Sequence, residues 1–304
     1  MSHFIKKSAY FVFFFGVICE LIIRFFHLVP DIPERYFDKH GIQRYKQGQM
    51  GFFTEGKVKW EVNNFGWLGV SDLEKDTIIS IIGDSYIENI MNPIECNQGS
   101  FLKSLFPNYS FFEAGRSGVT FIEAMEISKV LETEIAPNYH LLYLSENDFY
   151  ESISEIARYS DRVQISIENE VILDSQLKSP RMKKVLYNFK LLYYLYLKFP
   201  LFVEKQNKEQ FKKNVIKIDN FDKVLFEKLF IYCSKNYNLD KLVFVLHPNT
   251  DKRIISLVNN YGIRIVLLNS GGDKNWGLGK HDNHWTCYGH RQVSKQVATY
   301  IENH

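Results

Sequence analysis

The stretch IISIIGDSYIEN, residues 78–89, changes character within three residues. Its first half is a run of isoleucines, typical of a strand that is buried on both faces of a parallel sheet. The run ends at Gly83, Asp84 and Ser85. Such an ending is either an ordinary turn or a serine nucleophile held at the carboxyl edge of the sheet, where α/β proteins carry their sites.

Four further segments share the pattern of this strand, being short, apolar and bounded by turn residues. The five predicted strands are 77–82, 109–114, 140–145, 241–247 and 263–269. Apolar side chains recur with helical spacing between and after them, as in 221–236 and 290–303. This alternation predicts an α/β sandwich of three layers, with helices on both faces of a mostly parallel sheet.

Composition excludes some classes of function. The 304 residues include 37 basic and 35 acidic side chains, a net charge of +2, which does not indicate a general nucleic-acid binder. The four cysteines, Cys19, Cys96, Cys233 and Cys287, form no CxxC pair, so zinc-ribbon and redox motifs are not indicated. We expect Cys287, close to the last helix, to be a small buried apolar residue.

An apolar run near the N-terminus predicts a membrane anchor. Residues 9–29 match the ~20 apolar residues that a bilayer core requires. Glu20 and Arg24 interrupt the run but lie four apart, so they can pair on a helix. No small-residue cleavage site follows, and Lys6 and Lys7 precede the run, so we predict an uncleaved anchor with the main domain outside the cytoplasm. The alternative is a buried amphipathic helix.

The chain divides into three parts on this interpretation. They are the anchor (1–29), a juxtamembrane linker or extension with a small irregular or β element (30–75), and the main domain (76–304). The main domain carries an insertion at about 151–219, since one crossover helix does not need so many residues. Within it, VQISIENEVIL (163–173) predicts a hairpin turning at ENE.

The insertion also contains a segment rich in lysine and aromatic residues, 181–205. Lys190 and Lys198 argue against a second membrane span. Two interpretations stay open. The segment is a helix packed on the domain as a cap, or it faces the membrane or covers the substrate.

Three more places carry polar or small residues where a predicted strand ends or the last helix begins. The second strand runs into AGRSGVT with Gly118, and the third into SEND with Asn147. The loop before the last helix, KHDNHWTCYGH, contains Asp282 and His284. The carboxyl ends of parallel strands meet at one sheet edge, so we expect these residues to lie together.

Together these residues supply the parts of acyl-transfer catalysis. Ser85 needs a base, and His284 is suited to that role near neutral pH. Asp282, two residues earlier, can accept from the other ring nitrogen and fix the tautomer. The backbone N–H groups of Ser85 and Gly118, with the side-chain amide of Asn147, can donate to an oxyanion.

The set resembles the SGNH/GDSL hydrolase family. The GDS block of that family is matched at 83–85, and its oxyanion glycine by Gly118. Its GxND block is matched by SEND, where Ser145 replaces the usual glycine and Asn147 is kept. Its last block places Asp and His just before the final helix, matched by DNHW at 282–285.

The resemblance covers about residues 76–304 by motif order and spacing. It implies a flavodoxin-like α/β/α sandwich and a serine esterase without metal or organic cofactor, often one that deacetylates glycans. The expected partners are an acylated glycan or lipid-linked substrate, and the membrane through the N-terminal helix. Two alternatives stay open: an O-acyltransferase with the same Ser-His-Asp machinery, and a catalytically silent glycan-binding protein.

The remaining polar residues near these motifs have structural interpretations. We expect Asp84 to shape its loop through backbone hydrogen bonds and Asp148 to cap a helix. His247 ends the fourth predicted strand and is expected to line the cleft. His281 is expected to be exposed and His290 to belong to the last helix, because their spacing does not suit a metal site.

Overall fold

The computed structural model describes residues 2–53, 58–199, 221–279 and 282–303. The helices are α1 (Ser2–Phe25), α2 (Ser85–Glu88), α3 (Gln98–Leu105), α4 (Phe121–Glu134), α5 (Glu146–Ser152), α6 (Pro180–Asn188), α7 (Lys190–Lys198), α8 (Lys223–Asn236), α9 (Lys252–Asn260) and α10 (Cys287–Glu302). The strands are β1 (Arg35–Phe37), β2 (Gln43–Tyr45), β3 (Met50–Phe53), β4 (Val58–Glu61), β5 (Thr77–Gly83), β6 (Tyr109–Gly115), β7 (Tyr139–Leu144), β8 (Gln164–Ser166), β9 (Val171–Leu173), β10 (Leu242–Leu246), β11 (Arg264–Leu267), β12 (Gly277–Gly279) and β13 (Asp282–Trp285).

The central sheet has five strands in the order β6-β5-β7-β10-β11, and every neighbouring pair is parallel. Counted along the chain, this is the order 2-1-3-4-5 of flavodoxin-like folds. All five predicted strands are present, each within about two residues of its predicted bounds. The predicted fold class is therefore confirmed.

Alternate residues of each strand enter different cores, as the pleat requires. Ile81 and Phe111 face the layer that contains α3 and α10. Ile82 and Phe112 face the opposite layer, formed by α4, α5, α8 and α9. All four side chains are fully buried. The sheet is thus covered on both faces, which explains why its strands are continuous apolar runs instead of alternating ones.

Residues 30–75 contain more structure than the predicted linker. The hairpins β1-β2 and β3-β4 fold here, so the predicted β element is present. The following residues run antiparallel to β6, with Leu68 opposite Gly115 and Ser71 opposite Phe112. They cover the edge strand of the sheet, which would otherwise expose unpaired backbone groups.

A buried carboxyl joins this extension to the sheet. Glu113 of β6 accepts hydrogen bonds from the backbone N–H of Val70 (2.8 Å) and of Gly99 in α3 (2.9 Å). Burial raises the pKa of Glu113 to about 7, and the hydrogen bonds only partly offset this. One side chain therefore links three segments at the sheet edge.

The N-terminal helix α1 is long and apolar enough to cross a membrane, with a mean hydropathy of 1.9, and only 6% of it is buried. It is the one described helix with these properties. The alternative of a buried helix is therefore wrong. Arg24 and Glu20 form the predicted pair, 2.6 Å apart at their closest atoms.

The insertion begins as predicted. Strands β8 and β9 pair antiparallel and form the expected hairpin. Residues 180–198 form two helices, α6 and α7, with a break at Phe189. The prediction of a single helix is therefore wrong for the described part of 181–205. Residues 200–205 of that prediction, the later part of the insertion, and His281 lie outside the described residues.

Candidate active site

The strand register brings three of the predicted site loops together. Gly83 at the end of β5 lies opposite Gly115 of β6 on one side and Tyr143 of β7 on the other. Ser85, Gly118 and Asn147 follow these positions by two to four residues, so all three emerge at one sheet edge. This edge includes the switch point of the strand order, between β5 and β7, where flavodoxin-like folds carry their sites.

The strand end at Ser85 is a tight strand-to-helix turn. A Cβ at Gly83 would approach Ile87 to 2.6 Å, so only glycine allows α2 to pack this closely. Asp84 caps α2 by accepting the backbone N–H of Tyr86 at 3.0 Å, which confirms its predicted loop-shaping role. Ser85 begins the helix, where backbone N–H groups have no intrahelical acceptor.

Ser85, His284 and Asp282 form a hydrogen-bonded chain. The Ser85 hydroxyl is 2.8 Å from Nε2 of His284, and Nδ1 of His284 is 2.6 Å from Asp282 Oδ1. Hydrogen bonds from the backbone and ring of His284 lower the pKa of Asp282, which keeps it an acceptor. Nδ1 therefore carries the proton, and Nε2 is left to accept from Ser85.

Asp282 and His284 lie on β13, which pairs with β12, and both are open to solvent. The Asp282 side chain is 52% exposed and that of His284 31%. Water can therefore reach the His284 ring directly. Solvent also weakens the electrostatic contribution of Asp282, which matters for the size of a mutational effect.

The structure places the two further predicted oxyanion donors at this edge. Gly118 has a φ of +83°, which favours glycine, in a turn closed by the N–H of Val119 donating to Arg116 O at 3.1 Å. The N–H of Arg116 donates to Gly83 O at 3.2 Å, so the turn is attached to the end of β5, just before Ser85. Asn147 is exposed at the second position of α5. Their roles as donors stay predictions.

Ser145, the departure from the family pattern, has a structural role. It begins a capping box in which the Asp148 carboxyl accepts the Ser145 N–H at 2.7 Å and its hydroxyl at 2.9 Å. The predicted cap at Asp148 is confirmed. Burial and the nearby Asp84 raise the pKa of Asp148 well above its usual range, and burial raises that of Asp84 to about 6. The positive charge of Arg162 opposes both shifts.

An aromatic cluster around Tyr86, next to Ser85, is not expected from the sequence analysis. The Tyr86 ring lies 4.3 Å from His247, 4.7 Å from Trp285 and 5.1 Å from His284, measured between centroids. His247 thus contacts the site as expected, and burial lowers its pKa to about 3, so it is neutral. Tyr86 follows Ser85 and Trp285 follows His284 in the sequence. This adjacency is the sequence feature from which their place near the site could be predicted.

The loop that carries His284 is attached to the segment after Ser85. Asn92 donates to the carbonyl of Trp285 at 2.9 Å. Cys96 and Cys287 form a disulfide across 191 residues, so the prediction that Cys287 is a small buried apolar residue is wrong. His290 lies in the last helix, as predicted, and accepts from Gln98. Covalent and polar contacts therefore fix the loop of His284 relative to the segment that follows Ser85.

No protein-family model and no curated protein matches the chain. Solved structures do match. The psychrotrophic esterase EstA from Pseudoalteromonas sp. is 10% identical over 75% of this chain and 98% of its own, with a TM-score of 0.41. The lipase/acylhydrolase from Enterococcus faecalis is 11% identical over 75% of this chain and 96% of its own, with a TM-score of 0.41. The acetyl xylan esterase AlAXEase is 10% identical over 74% and 99%, with a TM-score of 0.35.

Proposed function

We propose that the protein is a serine esterase with Ser85 as nucleophile, His284 as base and Asp282 as its orienting partner. The continuous hydrogen-bonded chain through these residues carries the proposal. The chain is intact and open to solvent, which argues against a catalytically silent binding protein. The oxyanion donors in this proposal are the N–H groups of Ser85 and Gly118 and the amide of Asn147.

The geometry supports a two-step reaction. His284 Nε2 accepts the Ser85 proton as the oxygen attacks the ester carbonyl, and the donors hold the charge that forms on the carbonyl oxygen. The alcohol leaves with the proton from His284, and an acyl-serine remains. Water, activated by the same histidine, then releases the acid. The exposure of His284 favours water over a glycan hydroxyl at this step.

The finer part of the proposal is that the ester is an O-acetyl group on an envelope glycan. The motif resemblance supports this substrate, and an extracytoplasmic location suits it. Helix α1 is the proposed anchor, with Lys6 and Lys7 on the cytoplasmic side. The Cys96–Cys287 disulfide supports a domain outside the cytoplasm, because disulfides persist in oxidising compartments.

The activity test offers the purified full chain an acetyl ester, with and without a glycan acceptor. We expect free acetate in both cases. Acetylated glycan formed at the expense of acetate would instead identify an acyltransferase. No turnover of acetyl esters of any kind would refute the enzyme proposal.

A fluorophosphonate probe checks the nucleophile directly. We expect wild type and the surface control Ser104→Ala to be labelled, and Ser85→Ala to be unlabelled with an unchanged melting temperature. Labelling of Ser85→Ala would exclude Ser85 as the nucleophile.

A topology test checks the location. Alkaline phosphatase fused after His304 should be active, and the protein should stay with membranes after a high-salt wash. An inactive fusion, release by salt, or a mature N-terminus near residue 30 would contradict the uncleaved anchor.

A further inference from the structure

A cavity of about 350 Å³ lies between the extension and helix α6. Two acidic and six basic side chains line it, an excess of four positive charges. The basic residues are Arg35, Lys46, Lys178, Arg181, Lys183 and Lys184. The last three lie on α6 and are called the α6 cations below.

The two acidic side chains of the cavity already have partners. Glu34 pairs with Lys46, and Asp161 pairs with Lys178 at 3.0 Å. The α6 cations form no ion pair with the residues that the structure describes, and all three are exposed. The cavity therefore presents uncompensated positive charge on one wall, which suits an anion with several acceptor oxygens, such as a phosphate.

Contacts at the α6–α7 junction connect this cavity to the membrane helix. The backbone N–H groups of Lys190 and Leu191 donate to the Glu20 carboxylate of α1 at 3.0 and 2.6 Å. The Lys190 ammonium is 2.6 Å from Asp31, just beyond α1. The junction is thus held against the last turns of α1, where a spanning helix leaves the apolar part of the bilayer.

The length of α6 limits how far Lys183 and Lys184, two of the three α6 cations, lie from this level. Lys184 and Lys183 precede the last residue of α6, Asn188, by four and five positions, or ~6–8 Å along the helix axis. Each headgroup layer of a bilayer is ~5–7 Å thick. Helix α7 also exposes apolar and aromatic side chains suited to the interface. These are Leu192, Leu195, Tyr196 and Leu197.

The cavity is also next to the sheet edge that carries Ser85, Gly118 and Asn147, called the catalytic edge below. Arg35 in its wall donates to the carbonyl of Ser117 at 3.4 Å, and Ser117 precedes Gly118. Asp161 in its wall precedes Arg162, whose Nε would lie 3.9 Å from a Cβ placed on Gly118. The cavity wall therefore adjoins the loop of Gly118 through Arg35 and through Arg162, which follows Asp161.

We propose that this cavity binds the phosphate of a membrane lipid headgroup, so that the enzyme takes acyl esters on phosphate-bearing, lipid-linked substrates. The inference rests on the proposed function, because it requires α1 to span the membrane and Ser85 to act on the ester. The α6 cations bind the phosphate, α7 lies in the interface, and Arg35 joins the binding site to the catalytic loop.

The test measures binding, which does not depend on turnover. Full-length protein in a phosphate-free neutral detergent is titrated calorimetrically with the dihexyl ether analogue of phosphatidylglycerol, which has no carboxylic ester to cleave. Lys183→Ala/Lys184→Ala removes two α6 cations, and Lys228→Ala/Lys235→Ala on α8 is the control with the same change in net charge. We expect the first pair to raise Kd at least about tenfold, or 1.4 kcal/mol, and the control pair less than about twofold.

Two further titrations identify the ligand group. Dihexylglycerol, the matching diether without phosphate, should not bind, and inorganic phosphate should bind more weakly than the lipid. Equal losses in the two variant pairs, no binding by wild type, or equal binding of dihexylglycerol would overturn the proposal. Inorganic phosphate binding as tightly as the lipid would show a free-anion site instead.

Hydrolysis of 4-nitrophenyl acetate by the same preparations separates this proposal from the esterase proposal. The Lys183→Ala/Lys184→Ala variant should hydrolyse this small ester at the wild-type rate. Failure of the wild type to hydrolyse it would refute the esterase, whereas the calorimetric result would still decide whether the cavity binds lipid phosphate.

Discussion

The catalytic edge and the membrane-side face of this protein are held in different ways. At the catalytic edge, the loops of Ser85, Gly118 and Asn147 follow strands whose ends lie level in the sheet, and a disulfide fixes the loop of His284. The membrane-side face, formed by the extension, α6 and α7, is assembled through individual side chains such as Glu20 and Lys190.

This difference has consequences for mutation. A loop that follows a buried strand takes its position from many main-chain hydrogen bonds, so removing one of its side chains should change chemistry and leave geometry unchanged. A helix attached through a few individual side chains should loosen when one of them, such as Glu20, is removed. Catalytic substitutions should therefore change rates without changing stability, and membrane-side substitutions should do the reverse.

The largest expected effect is on the triad. Ser85→Ala and His284→Ala should each lower kcat for an acetyl ester by about 10⁴–10⁶-fold, because the attacking oxygen or its base is lost. Asp282→Ala should cost less, since its side chain is 52% exposed and interacts through solvent. Steady-state kinetics with each purified variant measure the loss of kcat and so rank the three substitutions.

The double variant Ser85→Ala/His284→Ala should be little worse than the worse single variant, because triad members act as a unit. Unfolding midpoints should stay within about a degree of the wild type. A variant that lost activity together with several degrees of stability would show that the catalytic edge is not independently held by the sheet.

The second largest effect is expected for Asn147, a proposed donor to the oxyanion. Asn147→Ala should lower kcat by about 10²–10³-fold, the usual loss for one donor, with KM almost unchanged. The exposure of Asn147 at the start of α5 means that stability should not change. A raised KM with an unchanged kcat would make Asn147 a substrate-binding residue.

The catalytic edge could be predicted from the sequence because its signals are local. Gly83, Gly118 and Asn147 lie at or within a few residues of strands that their apolar runs reveal. The hydrogen-bonded chain from Ser85 to His284 joins residues 199 apart, but each lies in a motif that has its own chemical meaning. Strand ends at one sheet edge then make their meeting predictable.

The remaining contacts could not be predicted because they join residues without a local pattern. Cys96 and Cys287 show no spacing that identifies a pair, and their bond depends on where α10 packs. Glu20 appears in the sequence as an interruption of an apolar run, and its hydrogen bonds to α7 span 170 residues. Glu113 lies within an apolar strand, and only the fold brings Val70 to it.

The third prediction uses Glu113, which joins the extension to the sheet. Its pKa of about 7 lies above the ordinary value of 4.5, so the folded state binds more protons than the unfolded state between these values. Its contribution to stability is therefore lost as pH rises from 4.5 through 7. At 1.36 kcal/mol per pKa unit, this costs on the order of 3 kcal/mol at pH 8.

Glu113→Gln imitates the protonated carboxyl and should remove this dependence. The stability of the variant relative to wild type should rise by on the order of 3 kcal/mol between pH 5 and pH 8, measured by urea unfolding in detergent. For the control Glu302→Gln, at an exposed position, the difference in unfolding free energy from wild type should be the same at pH 5 and pH 8. A constant difference for Glu113→Gln as well would mean that this carboxyl is ionised without cost and does not set the pH response of the extension.

The smallest effect is expected at Glu20. Its carboxylate accepts the first two N–H groups of α7 and pairs with Arg24. Glu20→Ala leaves these groups without their acceptor, and loss of such a cap costs ~0.5–2 kcal/mol. Helix α7 is short and packs against α1 and α6, outside the central sheet, so this loss should appear as local opening.

Hydrogen exchange of residues 190–198 in the full chain should become about tenfold faster in Glu20→Ala, which corresponds to about 1.4 kcal/mol. Exchange in β5 and β7 should not change, because α7 forms no part of the central sheet. Hydrolysis of a small soluble ester should also keep its rate, since Glu20 contacts no residue of the triad. The control Glu302→Ala removes a carboxylate from α10 and should leave exchange in α7 as in wild type. Slower catalysis together with faster exchange in Glu20→Ala would show that the membrane-side face and the catalytic edge are coupled. The hydrogen bond from Arg35 to Ser117 would then be the contact to test next.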